Sequence, residues 1–133
     1  MRVSPFLTAI AKDYNPNIEY VAFCDLSKRS KKAQGIAWGK KNTQWHAIEI
    51  DEKGLICPHQ ILYIFFHELG HIVNHHLGYR YSTGSRSLHE EEADTWAFRE
   101  MGMIDERGQV KEESKICYQC MKAKSKVCLK KID

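Results

Sequence analysis

Apolar residues along this chain change period several times, and each change marks an element. Phe6, Leu7, Ile10 and Ala11 recur at helical spacing behind Ser4-Pro5, a pair that suits an N-cap followed by proline at the first helical position. Asn15-Pro16-Asn17 ends that segment. Residues 18–26 are rich in β-formers and predict a strand, and 27–34 form a polar, basic loop. Two further strands are expected over 35–38 and 44–51, around the turn Gly39-Lys40-Lys41-Asn42. In the second of them Trp45, Ala47 and Glu49 alternate with His46, Ile48 and Ile50, so one face is more apolar than the other. Pro58 suits the first turn of a helix that continues to about residue 76, with Gly78 as its stop. The run Ile61-Leu62-Tyr63-Ile64-Phe65-Phe66 is apolar nearly all round, which makes this helix central and buried. Ser87 with Glu90 three residues later matches a capping box and predicts a third helix, carrying Trp96, Ala97, Phe98 and Met101 and ending at Gly102.

Together these elements predict an α+β fold, a small antiparallel sheet of about three strands packed on the central helix and on the helix that follows it. With 133 residues the chain can build one modest core. Residues 1–108 form the expected domain, and 109–133 read as a lysine-rich, cysteine-containing C-terminal tail. No window approaches the roughly 18 apolar residues needed to cross a bilayer. Met1-Arg2-Val3-Ser4-Pro5 opens no long apolar region, so no signal peptide is expected and the cytoplasm is the expected compartment. Five cysteines, an odd number, fit a reducing compartment better than a closed disulfide framework. A net charge of +3 is too small to argue for nucleic acid. The basic groups Lys28, Arg29, Lys31, Lys32 and Lys122, Lys124, Lys126, Lys130, Lys131 read as a solvated loop and tail, so direct nucleic-acid binding is not expected.

The segment His67-Glu68-Leu69-Gly70-His71 adds chemistry to this outline. Two imidazoles four residues apart lie on one helix face, about one turn apart, and can share a Zn²⁺ ion. Glu68, offset by about 100°, can reach a water held by that ion and act as its base. A zinc on two histidines needs another protein ligand, and Glu90-Glu91-Glu92-Ala93-Asp94 offers the candidates. With Glu90 taken as zero and about 100° per residue, Asp94 falls near 40°, Ala97 near −20° and Met101 near 20°. Glu90 and Asp94 therefore share the inward face. Glu90 is the expected ligand, and Asp94 is expected to accept the free N–H of a ligand histidine and fix its tautomer. Glu91, near 100°, is the next candidate. The competing role for Glu90 is to close the capping box and face water. His75 continues the four-residue series but lies a further turn away, and Asn74 and Gly78 break the HExxHxxGxxH spacing. His75 and His76 suit a helix end, and His46, His59 and His89 read as surface histidines. Cys117-x-x-Cys120 has the spacing of half a zinc site, with Cys128 as a further ligand for a second, structural zinc. The alternative is free thiols, which the lack of an evident fourth ligand favours.

HELGH followed by Glu90-x-x-Ala93-Asp94 resembles the zincin metallopeptidases of the Glu-zincin type. The small size, the strands ahead of the HELGH helix and the segment E-x-E-A-D-x-W-A look most like the ImmA/IrrE family. The resemblance covers residues 5–104. It implies a zincin-like fold, with His67 and His71 as paired zinc ligands, Glu90 as the third and Glu68 as the catalytic base. It implies a zinc metalloendopeptidase associated with phages, mobile elements or stress responses in bacteria. The implied substrate is a regulatory protein such as a cognate helix-turn-helix repressor, cut by glutamate-assisted attack of zinc-held water. An extended substrate would pair with a free strand edge, for which residues 44–51 are the expected candidate. Tyr79, Tyr81 or a loop histidine would supply a second donor to the oxyanion. Trp96 stands where the family usually has an aromatic such as Phe, and the lysine-rich tail replaces a longer C-terminal part, so substrate recognition does not carry over. A zincin scaffold that sequesters its partner without cutting it, an antirepressor, is the alternative function. A repair protease of the SprT-like kind fits less well, since it needs a third histidine well after HELGH, where this chain offers glutamates.

Overall fold

The structure, a computed structural model, describes residues 1–27, 34–40, 43–53, 58–74 and 83–122, without the side chains of 83–87, 120 and 122. The expectations for His75, His76, Gly78, Tyr79, Tyr81, Cys128 and the basic residues at 28–32 and beyond 122 fall outside that set. The chain opens with a short strand β1 (Arg2–Val3) and helix α1 (Pro5–Tyr14). Ser4 caps α1 as its sequence predicts: its backbone is extended and its hydroxyl accepts the Leu7 N–H at 3.2 Å. Leu7 and Ala11 are buried, and the Thr8 hydroxyl accepts the Val21 N–H at 2.9 Å, which ties the helix to the sheet.

Strands β2 (Ile18–Cys24), β3 (Gly35–Gly39) and β4 (His46–Asp51) join β1 in a four-stranded sheet of order β1-β2-β4-β3. The sheet is mixed, with β2 and β4 parallel and the other pairs antiparallel. This corrects the expected three-stranded antiparallel sheet. The chain leaves β2, forms β3 as the outer strand, and returns through β4, which runs parallel to β2 between its two neighbours. A strand's own periodicity carries no information about such a partner. The position of residues 44–51 as a free edge is overturned by the same topology. β4 is interior, with Ala47, Ile48, Glu49 and Ile50 all buried, and β3 is the outer strand alongside the next helix.

That helix, α2 (Pro58–Val73), carries the apolar run into the core. Ile64, Phe65, Leu69 and Ile72 pack with Ile18, Val21, Ile48 and Ile50 of the sheet and with Leu7 and Ala11 of α1. Helix α3 (Thr83–Glu100) packs across α2. It begins at Thr83, so Ser87 is inside the helix and not its N-cap. A capping box needs its glutamate folded back along the same helix, whereas the Glu90 carboxylate reaches two imidazoles of α2. α3 ends as predicted at Gly102, which has φ 70°. The Gly102 N–H bonds to Arg99 and the Met103 N–H to Phe98, the paired closure that a left-handed residue after a helix allows.

Residues beyond 108, grouped by composition with the tail, pack as far as 122. Ile104 pairs with Val110 around a turn, a 3₁₀ turn follows at Glu112–Ser114, and α4 (Lys115–Lys122) lies against α2. Phe98, Met103, Cys117 and Met121 form a second buried cluster, bounded by Tyr63 and Tyr118. Phe98 stacks on Tyr63 and also meets Tyr118. Among the described residues, no helix is long and apolar enough to cross a membrane.

Candidate metal centre

α2 sets His67 and His71 one turn apart, with their rings edge to face at 4.8 Å between centroids. The two Nε2 atoms are 3.2 Å apart. Glu90 of α3 closes the triangle, with one carboxylate oxygen 2.9 Å from His67 Nε2 and the other 3.3 Å from His71 Nε2. A tetrahedral zinc with bonds of about 2.0–2.2 Å separates its N and O ligands by about 3.3 Å. The observed spacings meet that requirement with shifts of tenths of an ångström. His67, His71 and Glu90 therefore form a group that could hold a metal ion, with all three ligand atoms within 4.8 Å of one another.

This convergence needs α3 close to α2, and Gly70 provides it. A Cβ at Gly70 would lie 3.1 Å from the Ala93 carbonyl oxygen and 3.2 Å from its Cα, both parts of the α3 backbone. One turn of α3 separates Glu90 from Asp94, and Asp94 meets the other nitrogen of His67, with Oδ1 at 2.7 Å from Nδ1. The same oxygen accepts the Tyr63 hydroxyl. His67 is thus held at both nitrogens, and Nε2 is the one turned toward His71 and Glu90. Tyr63 lies four residues ahead of His67 on the same helix face, and the spacing Tyr63-x-x-x-His67-x-x-x-His71 is the one signal of its role. In the sequence it passes as one more ring in an apolar run.

Electrostatics follow from these contacts. Burial works against charge on His67, but its bonds to Asp94 and Glu90 outweigh that and push its pKa up to about 10. The same histidines hold Glu90 well below the usual carboxylate range. Burial, then the bond to Asp94, raise the Tyr63 phenol, which stays a neutral donor. Glu68 lies between the two histidines in sequence but faces the sheet. It is buried, and burial raises its pKa above that of an ordinary glutamate, against the pull of His67 and His71 and of a bond from the Ala37 N–H of β3. Gly35 permits this approach, since a Cβ there would lie 2.7 Å from Ile64 Cγ2 and 3.0 Å from Glu68 Cγ.

Glu91 and Glu92 are exposed, and neither joins the His67–His71–Glu90 group. Cys117 and Cys120 lie within helix α4, where Cys117 packs with Phe98, Met103 and Met121. Cys117 is buried and its sulfur is 3.8 Å from Nδ1 of His59, which is exposed as its sequence reading expects. Searches against protein-family models, curated proteins and solved structures returned no match to this chain.

Proposed function

We propose that the chain is a zinc-dependent metalloendopeptidase of the ImmA/IrrE kind, cutting a regulatory protein for which a helix-turn-helix repressor is the candidate. One observation carries this reading: two Nε2 atoms and a carboxylate from a neighbouring helix face one another, with a buried glutamate of raised pKa beside them. His67, His71 and Glu90 would hold the ion. When bound, zinc supplies a Lewis acid that acidifies water and polarises a peptide carbonyl. Asp94, supported by Tyr63, keeps a proton on His67 Nδ1, so Nε2 is the nitrogen that gives up its proton and binds the ion. Glu68 takes a proton from the attacking water, and its raised pKa makes it a better base near neutrality than an ordinary carboxylate. As water oxygen bonds to the carbonyl carbon and the C–N bond breaks, Glu68 passes that proton to the departing amine. The products are a carboxylate and an amine, and Glu68 returns to its starting state.

β3 is the outer strand of the sheet alongside α2, and an extended substrate segment laid against it would run past Glu68. Incubation of the zinc-loaded chain with a candidate repressor, read by mass spectrometry, tests the proposal. Discrete fragments that a chelator prevents are expected. Glu68→Gln should bind zinc with unchanged stoichiometry and cut about 10²–10⁴-fold more slowly. Undiminished cleavage by Glu68→Gln ends the mechanism, and a stable complex without fragments marks an antirepressor instead.

A further inference from the structure

A groove of about 430 Å³ opens where the first half of α2, the end of α3 and the start of α4 meet. Pockets that take ligands span about 300–1,000 Å³. Leu62 and Phe66 lie four residues apart, so α2 presents both on one face of the groove. Met101 and Met103 stand on either side of Gly102, where α3 ends, and line it as well. Leu62, Phe66 and Met101 are half-buried. Methionine side chains are flexible and polarisable and suit a surface that adapts to a partner. Glu100 and Glu113 stand on the walls. Both are exposed, and among the described residues neither is paired with a cation. Lys115 pairs with Glu112 at 2.6 Å, and Glu100 accepts the Tyr14 hydroxyl, a neutral donor that leaves its charge in place. No lysine or arginine lines the groove, and His59 is its one basic side chain. A chain of net charge +3 thus carries an apolar groove bordered by two carboxylates.

We infer that this groove docks a cationic, amphipathic segment of a partner protein. Large apolar side chains of that segment sit against Leu62, Phe66 and the two methionines, and flanking lysines or arginines pair with Glu100 and Glu113. Apolar contact supplies most of the attraction, and the carboxylates select the sign of the partner. The same carboxylates repel nucleic acid and anionic lipid. None of the groove residues is a ligand of the metal centre. The surface therefore holds its partner whether or not that partner is cut, and the inference does not rest on the peptidase reading.

The methionines provide the readout, since the chain has only four. The full chain, labelled with carbon-13 at its methionine methyl groups, is titrated with a synthetic peptide of leucines and lysines, and with a counterpart in which glutamate replaces every lysine. The lysine peptide should shift the Met101 and Met103 signals saturably and leave that of Met1, outside the groove, in place. The glutamate peptide should bind at least about tenfold more weakly, because its charges meet those of Glu100 and Glu113. Glu100→Gln and Glu113→Gln, conservative changes at exposed positions, should each raise the Kd of the lysine peptide by up to about fivefold. Equal affinity for the two peptides overturns the inference, as do Met101 and Met103 signals that stay in place or a double variant that keeps the original Kd. Movement of those signals when the chain is concentrated alone also overturns it, because a second copy would then fill the groove.

Discussion

At the scale of single residues, the centre depends on one oxygen. Asp94 Oδ1 accepts from both His67 Nδ1 and the Tyr63 hydroxyl, so three side chains settle which imidazole nitrogen faces the metal position. Removing such outer partners commonly weakens metal binding about 10–100-fold. Tyr63→Phe should therefore raise the zinc dissociation constant by about tenfold while the fold is kept; an unchanged constant in competition titration would deny Tyr63 its supporting role. The roles open to Glu90 and Asp94 are legible in the sequence, because helical rotation alone puts both on the face that carries Ala97. Tyr63 is not legible in that way. In an apolar helix an aromatic ring is expected for packing, and only the placement of α3 shows that its hydroxyl has an acceptor.

At the scale of elements, two glycines govern how closely backbones approach. Gly70→Ala would press on the α3 backbone and Gly35→Ala on Ile64 and Glu68. Overpacking of this kind costs about 1–3 kcal/mol, which denaturant unfolding can measure. Gly70→Ala should also weaken zinc binding, since it moves α3 and Glu90 with it. Gly35→Ala should bind zinc normally, and the two variants thereby separate the ligand helix from the base. The starts and ends that depend on local chemistry are readable in the sequence: Ser4-Pro5 for α1, Pro58 for α2 and Gly102 for the end of α3. What sequence reasoning misses depends on distant partners. The parallel pairing of β2 with β4, and hence the interior position of β4, follows from where the chain returns. Ser87 is not the N-cap because α3 already begins at Thr83.

At the scale of the whole molecule, folding, protonation and metal binding are linked. In the metal-free chain His67 is raised from 6.5 to about 10. The stability this supplies is fully present below pH 6.5 and is lost as pH rises toward 10. Glu90, lowered from 4.5, contributes above its ordinary range and loses that contribution as pH falls. The melting temperature of metal-free protein should therefore decline between pH 6.5 and 10, and His67→Gln should flatten that decline. Zinc must also displace a proton from His67 near neutrality. Calorimetry in buffers of different ionisation heat should show about one proton released per zinc at this centre, and none released would contradict a protonated His67 in the metal-free chain. The metal centre itself is tested most directly by an anomalous-scattering map at the zinc edge from crystals of the zinc-loaded chain. A peak is predicted within bonding distance of Nε2 of His67, Nε2 of His71 and the Glu90 carboxylate; a map with no peak there, or with Glu90 turned to solvent and no other α3 side chain reaching the imidazoles, would contradict it.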